Sequence, residues 1–118
     1  MELSTEAYIK VSLLMKKIIG EKEDVGYHGS LYMARGGVRM CEDTTTLLSS
    51  EIVKEFVCPY LSKALKHFGG GWLHFCGKGD HLLDIFLDIE EVRGINFGNP
   101  ELYNLNEVLA KVKKRGNC

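Results

Sequence analysis

His74 and Cys76 are the residues whose types and spacing best suit chemistry. They flank Phe75 in residues 72–76, an apolar run that favours a buried β-strand. Because side chains alternate along a strand, we expect the imidazole and the thiol on one face and the phenyl ring on the other. Zinc accepts both donors. On spacing alone, a packed core histidine beside a small buried cysteine is the more common arrangement, since one His-x-Cys pair is a weak motif.

A second group of candidate residues lies at the end of the predicted strand Val38–Cys41. Glu42 or Asp43 could serve as a base or a metal ligand there, and Arg39 could clamp a substrate carboxylate through its planar guanidinium. A local ion pair, with Asp43 as a helix N-cap, explains the same residues equally well. Cys41 is the other cysteine that such a strand end offers.

A third predicted strand, Val92–Phe97, carries Asn96, which either contacts a ligand or forms a turn. Asn99 precedes Pro100 and is better explained as a turn former. Three polar residues follow the proposed metal pair and could orient His74 or bind an anion: Lys78, Asp80 and His81. The alternative role of Asp80 is that of a helix N-cap.

Four helices are predicted around these strands. Apolar residues recur at helical spacing in residues 5–19, in a long segment that starts after Ser49 or Ser50, in residues 81–89 and in residues 105–114. Pro59 should kink the long helix or divide it in two. Residues 26–37 are rich in glycine and polar side chains, so we expect a loop there.

The order of strands and helices predicts an α/β fold built from right-handed parallel crossover units. About three βα units follow the leading helix, whereas a closed eight-stranded barrel takes about 250 residues. The chain is therefore either a small open sheet or less than half of a barrel. For a partial barrel we expect unpaired edges, exposure of Val38, Leu73, Phe75 or Ile95, and association with a partner or another copy.

Composition excludes several classes of function. The 118 residues carry a formal charge of −1, which gives no overall field for nucleic acid or anionic lipid. No apolar run approaches the length of a membrane span, and Glu2 and Glu6 stand where a signal peptide carries positive charge. We therefore expect a cytoplasmic protein with reduced thiols, without nucleic-acid or membrane partners.

Five blocks of the sequence, taken together, resemble the uroporphyrinogen decarboxylase superfamily, in the order residues 37–44, 47–49, 56–60, 68–77 and 94–101. The most specific block is 68–77, because its His-x-Cys-Gly strand end is similar to that of the zinc-dependent methyl-corrinoid methyltransferases. The resemblance implies a (β/α)8 TIM barrel, with residues 1–36 as a leading helix and loop and residues 37–118 as part of the barrel.

The resemblance also implies a function. His74 and Cys76 match the two zinc ligands of the methyltransferases, whose third ligand is a cysteine further downstream than Cys118. The implied activity is zinc-assisted methyl transfer from a corrinoid protein to a small-molecule thiol. Alternatives are decarboxylation of a tetrapyrrole, although the decarboxylases' Arg-rich motif and catalytic Asp are missing, and a non-catalytic fragment or assembly module. The chain alone is expected to be inactive, and its partner would be the missing barrel portion or another copy.

Overall fold

A computed structural model describes residues 1–115, which form a mixed α/β fold with a small parallel sheet. The strands are β1 (Gly26–His28), β2 (Leu31–Met33), β3 (Val38–Cys41), β4 (Gly71–Phe75) and β5 (Val92–Phe97). The helices are α1 (Glu2–Ile19), α2 (Ser50–Ile52), α3 (Cys58–Lys66), α4 (Asp80–Leu87) and α5 (Leu105–Lys114). Two short 3₁₀ helices, Asp43–Leu47 and Pro100–Leu102, follow β3 and β5.

The central sheet has the strand order β3-β4-β5, and all of its pairs are parallel. Helices connect the strands, which confirms the predicted crossover pattern and the predicted bounds of β3 and β5. Cys41 is the register partner of His74, and His74 is the partner of Asn96. Because the strands are parallel, each delivers its following loop to the same edge of the sheet.

One face of the sheet forms the hydrophobic core. Leu73 and Phe75 are fully buried there, and Val38 is 8% exposed, among apolar side chains of α3 and α4. The expectation that these residues would meet water is therefore wrong, while Ile95 is half-buried against the core. The physical reason is the alternation of side chains along the strands, which assigns the apolar positions to the helix-covered face.

The opposite face carries the polar side chains and is approached by a β-hairpin. Strands β1 and β2 pair antiparallel, with His28 opposite Leu31 and with Gly29 and Ser30 as the connection. Gly29 has a φ of 59°, a conformation that suits tight hairpin turns and that glycine adopts without strain. The prediction of a loop over residues 26–37 was thus incomplete, since two three-residue strands form within it.

Helix boundaries agree with most of the predicted signals. Gly20 ends α1 with a φ of 75°, and the Ser49 side chain caps α2 by accepting from the backbone N–H of Ile52. A π-helical turn, Val53–Val57, joins α2 to α3 immediately before Pro59. This turn accommodates the proline that was predicted to interrupt the helix, because a wider turn tolerates the missing N–H.

Asp80 is not the N-cap that one alternative assigned to it. Gly79 occupies the cap position, and α4 begins at Asp80 itself. The Asp80 carboxylate lies 3.9 Å from the Lys78 ammonium. Because Asp80 is in the first turn of α4, the positive end of the helix dipole stabilises its negative charge. The helix ends at Leu87, two residues earlier than predicted.

Candidate metal centre

Three strands place their polar side chains together at the carboxyl edge of the sheet. Cys41, His74 and Asn96 are register partners on β3, β4 and β5, so they lie side by side on the face opposite the core. Cys76 follows two residues after His74 and extends the same row beyond the end of β4. The predicted strand-end cluster is therefore brought together by the register of a parallel sheet.

Asn96 fixes the orientation of His74. The Asn96 Oδ1 lies 2.5 Å from His74 Nδ1, and because an amide oxygen only accepts, Nδ1 carries the proton in this hydrogen bond. In a neutral ring, Nε2 then keeps its lone pair for a ligand. The turn role considered for Asn96 is wrong, since the residue lies within β5, and its side chain contacts His74.

His74 Nε2 points at Cys76, whose Sγ lies 3.4 Å away. The two atoms therefore lie close together on one face, while the group of ligand atoms that all lie within 4.8 Å of one another among residues 1–115 consists of Cys41, Asp43 and His74 and does not include Cys76. Burial, followed by the nearby negative charge of Asp43, raises the pKa of the Cys76 thiol. The thiol therefore holds its proton until a cation displaces it.

Asp43 joins the cluster from the start of the 3₁₀ helix after β3. Its Oδ1 accepts a 2.8 Å hydrogen bond from the backbone N–H of Cys76 and lies 3.9 Å from His74 Nε2. The Cys76 N–H, and then the Cys41 thiol, hold the pKa of this carboxyl below its usual range. The N-cap explanation of Asp43 is wrong, since Glu42 occupies the cap position.

The donor set fits zinc. One ligand atom each from Cys41, Asp43 and His74 lie within 4.8 Å of one another, and the Cys76 sulfur lies against the same imidazole. Thiolate, imidazole and carboxylate are the ligands that zinc binds, and catalytic sites use three protein ligands and leave one position open. Cys41, Asp43 and His74 therefore offer three metal-capable donors among the described residues.

The loop that follows His74 and Cys76 is held in place by two further side chains. Tyr103 donates its hydroxyl to the Gly77 carbonyl and accepts from the Gly79 N–H, both at 2.7 Å. Asn99, at the cap position of the 3₁₀ helix Pro100–Leu102, accepts from the Gly77 N–H at 3.0 Å, a contact that spans 22 residues. These contacts fix the edge of the site before any ligand is present.

Arg39 and Glu42 occupy different surroundings. Arg39 is the register partner of Trp72, one step before Cys41 on the same face, and its charge makes a small contribution that lowers the pKa of Cys76. No ion pair between Arg39 and an acidic side chain forms within residues 1–115. Glu42 lies in a cavity of 190 Å³ with Met40 of β3 and with side chains of α1 and α3 that include Tyr8. Its side chain therefore contacts the helices and not the cluster around His74.

We expect the substitution Glu42→Gln to stabilise the protein at pH 8 but not at pH 5. Burial first, and then the charge of Asp43, raises the pKa of Glu42 from 4.5 to about 7. A raised acid pKa means that the folded state binds more protons than the unfolded state, so stability is lost as the pH rises from 4.5 to 7. The neutral glutamine avoids this loss, which amounts to at most about 3 kcal/mol.

Urea unfolding of the metal-free protein at both pH values measures this effect. Glu55→Gln, at an exposed position, is the matched control and should change stability equally at pH 5 and pH 8. If Glu42→Gln changed the free energy of unfolding by the same amount at pH 5 and at pH 8, this would contradict the raised pKa of Glu42.

The other candidates of the sequence lie outside the cluster. His81 Nε2 is 3.1 Å from the Leu48 carbonyl, and Lys78 pairs with Asp80, so neither orients His74. Conversely, His28 was not predicted, yet its ring centroid lies 6.4 Å from that of His74. A Gly-Ser turn between short strands is the sequence signal for the hairpin that carries it. Cys118 lies outside the described residues.

Comparisons with protein-family models, with curated proteins and with solved structures found no match to this chain. Within residues 1–115, none of the helices combines the length and the apolar character that crossing a membrane requires.

Proposed function

We propose that this chain holds a zinc ion through His74 and Cys76, with either Cys41 or Asp43 as the third protein donor, and leaves the fourth position open for a thiol. The single observation that carries the proposal is the pair of contacts to His74. Asn96 holds Nδ1 at 2.5 Å, while Nε2 faces the Cys76 sulfur at 3.4 Å. In the metal-free chain the Cys76 thiol donates to this nitrogen, and a metal ion that displaces the thiol proton would turn the same two atoms into ligands.

The proposed reaction is methyl transfer from a corrinoid-bound methyl group to a thiol. When bound, zinc would lower the pKa of the substrate thiol and stabilise the thiolate. The thiolate sulfur bonds to the methyl carbon as the cobalt–carbon bond breaks, and that electron pair remains on cobalt. In this chain Asn96 orients His74, and the Cys76 N–H positions the Asp43 carboxylate. The exposure of Cys41 and Asp43 gives a substrate access to the cluster.

We also propose that this chain forms part of a larger barrel. The unpaired edge of strand β5 supports this part of the proposal. This strand pairs only with β4 within residues 1–115, so its other side presents unpaired backbone groups. A cavity of 390 Å³ adjoins it, lined by apolar residues of β5 and α5 that include Ile95, Phe97 and Leu109. We expect the isolated chain to associate in sedimentation experiments; a monomer at high concentration would contradict this part of the proposal.

Cobalt substitution tests the open position without requiring methyl transfer. The Co²⁺-loaded chain should show thiolate-to-cobalt absorption, and added mercaptoethanol should increase it because another sulfur enters the coordination sphere. Cys76→Ser should weaken the initial absorption, whereas Cys58→Ser, a half-buried cysteine on α3, is the matched control. An absorption that mercaptoethanol leaves unchanged would show that the site is closed.

A further inference from the structure

A cavity of 410 Å³ lies between α1, the β1–β2 hairpin and β3, beside the metal cluster but separate from its donor atoms. Its walls are largely apolar or aromatic and include Tyr8, Met15, Ile19, Tyr27 and Met33. Such walls suit the apolar body of a small molecule and leave specificity to the few polar groups among them.

Arg39 is the cation of this cavity that lacks a partner. Lys16, the other cation beside it, is buried and already pairs with Glu21 at 2.5 Å and donates to the Val25 carbonyl at 2.7 Å. The Nε of Arg39 is buried and has no hydrogen-bond partner among residues 1–115. The acidic side chains of that part of the chain form no ion pair with its guanidinium either.

The buried Nε is closed to an external ligand, whereas the two Nη groups of Arg39 are not among the buried side-chain atoms without a partner. Their two N–H groups lie in one plane, which matches the two oxygens of a carboxylate. The charge of Arg39 therefore favours a ligand with a carboxylate, and the apolar walls favour a ligand with an apolar chain.

We propose that Arg39 and this cavity bind a small organic acid, with its carboxylate on the guanidinium and its apolar chain against α1 and the hairpin. This binding site goes beyond the proposed metal function and requires no metal. Trp72 provides a reporter, since it is the register partner of Arg39 on β4 and the single tryptophan of the chain.

Hexanoate, titrated into the full metal-free chain, is the probe. We expect a saturable change in Trp72 fluorescence and a rise in Tm, with hexanamide binding at least about tenfold more weakly because it lacks the charge. Arg39→Met should abolish the response to hexanoate. This variant should remain folded, because an apolar group of similar shape replaces a donor that has no partner.

Arg35→Met is the matched control, since Arg35 is exposed and lies outside this cavity. It should bind hexanoate like the native chain. Equal binding of hexanoate and hexanamide, unchanged binding by Arg39→Met, or no response to millimolar hexanoate would each overturn the proposal. Zinc binding is measured separately, so failure here leaves the metal proposal standing, and the reverse also holds.

Discussion

Replacing His74 with alanine is expected to weaken zinc binding roughly 100-fold or more. The substitution removes the nitrogen that faces Cys76, and the loss of an outer contact to a metal-binding histidine already costs about 10- to 100-fold. Asn96→Ala should therefore have a smaller effect in the same direction, because it releases the ring without removing it. Competition with a chromophoric chelator measures both affinities.

His67→Ala is the matched control for this experiment. His67 is an exposed histidine at the C-cap of α3, and its Nδ1 contacts the Lys63 carbonyl. Its substitution should leave zinc affinity unchanged. If His74→Ala and His67→Ala bound zinc equally well, His74 would be a packing residue, as the weak spacing of the motif alone suggested.

Phe75→Ala is expected to destabilise the fold by about 3–5 kcal/mol, the usual cost of a large cavity in a core. Phe75 is fully buried, and its ring centroid lies 5.6 Å from that of Phe86 and 5.4 Å from that of Phe97. It stands between His74 and Cys76 but faces the helices, so its role is to fix β4 in place. Urea unfolding measures the change in the free energy of unfolding.

Phe56→Ala provides the comparison, since Phe56 is 52% exposed on the π-helical turn. It should cost less than about 1 kcal/mol, because little apolar surface is removed from contact. Similar losses for the two substitutions would mean that Phe75 does not occupy the core.

The strands of the central sheet could be predicted because local signals define them. Glycines at 69–71 release the chain into β4, and the alternation of Leu73 and Phe75 with His74 assigns one face to the core. The predicted exposure of the apolar positions is wrong because it assumes that they face the interior of a barrel, whereas helices α3 and α4 cover them. Periodicity identifies a face but does not state which element covers it.

The hairpin and the cross-strand contacts could not be predicted in the same way. Strands β1 and β2 have three residues each and expose Tyr27, Leu31 and Tyr32, so they lack a strong apolar alternation. The hydrogen bond from His74 to Asn96 spans 22 residues and depends on the register of β4 with β5. No local pattern encodes that register, and the contact between Asn96 and His74 therefore cannot be predicted from the sequence.

The different surroundings of Asp43 and Glu42 also could not be predicted from local sequence patterns. The two carboxylates are adjacent in sequence, yet one accepts the Cys76 N–H and the other enters the cavity against α1. The start of a 3₁₀ helix immediately after β3 directs them apart. A sequence pattern shows two acids at a strand end, while the turn that follows decides which one serves the site.

The zinc content of the native chain tests the central claim most directly. After zinc loading and exhaustive dialysis against metal-free buffer, elemental analysis should find a single zinc ion per chain, and the Cys41→Ser, Cys76→Ser double variant should retain far less. A native chain that keeps no zinc, or a double variant that keeps as much as the native chain, would contradict the assignment of this strand-end cluster as a metal centre.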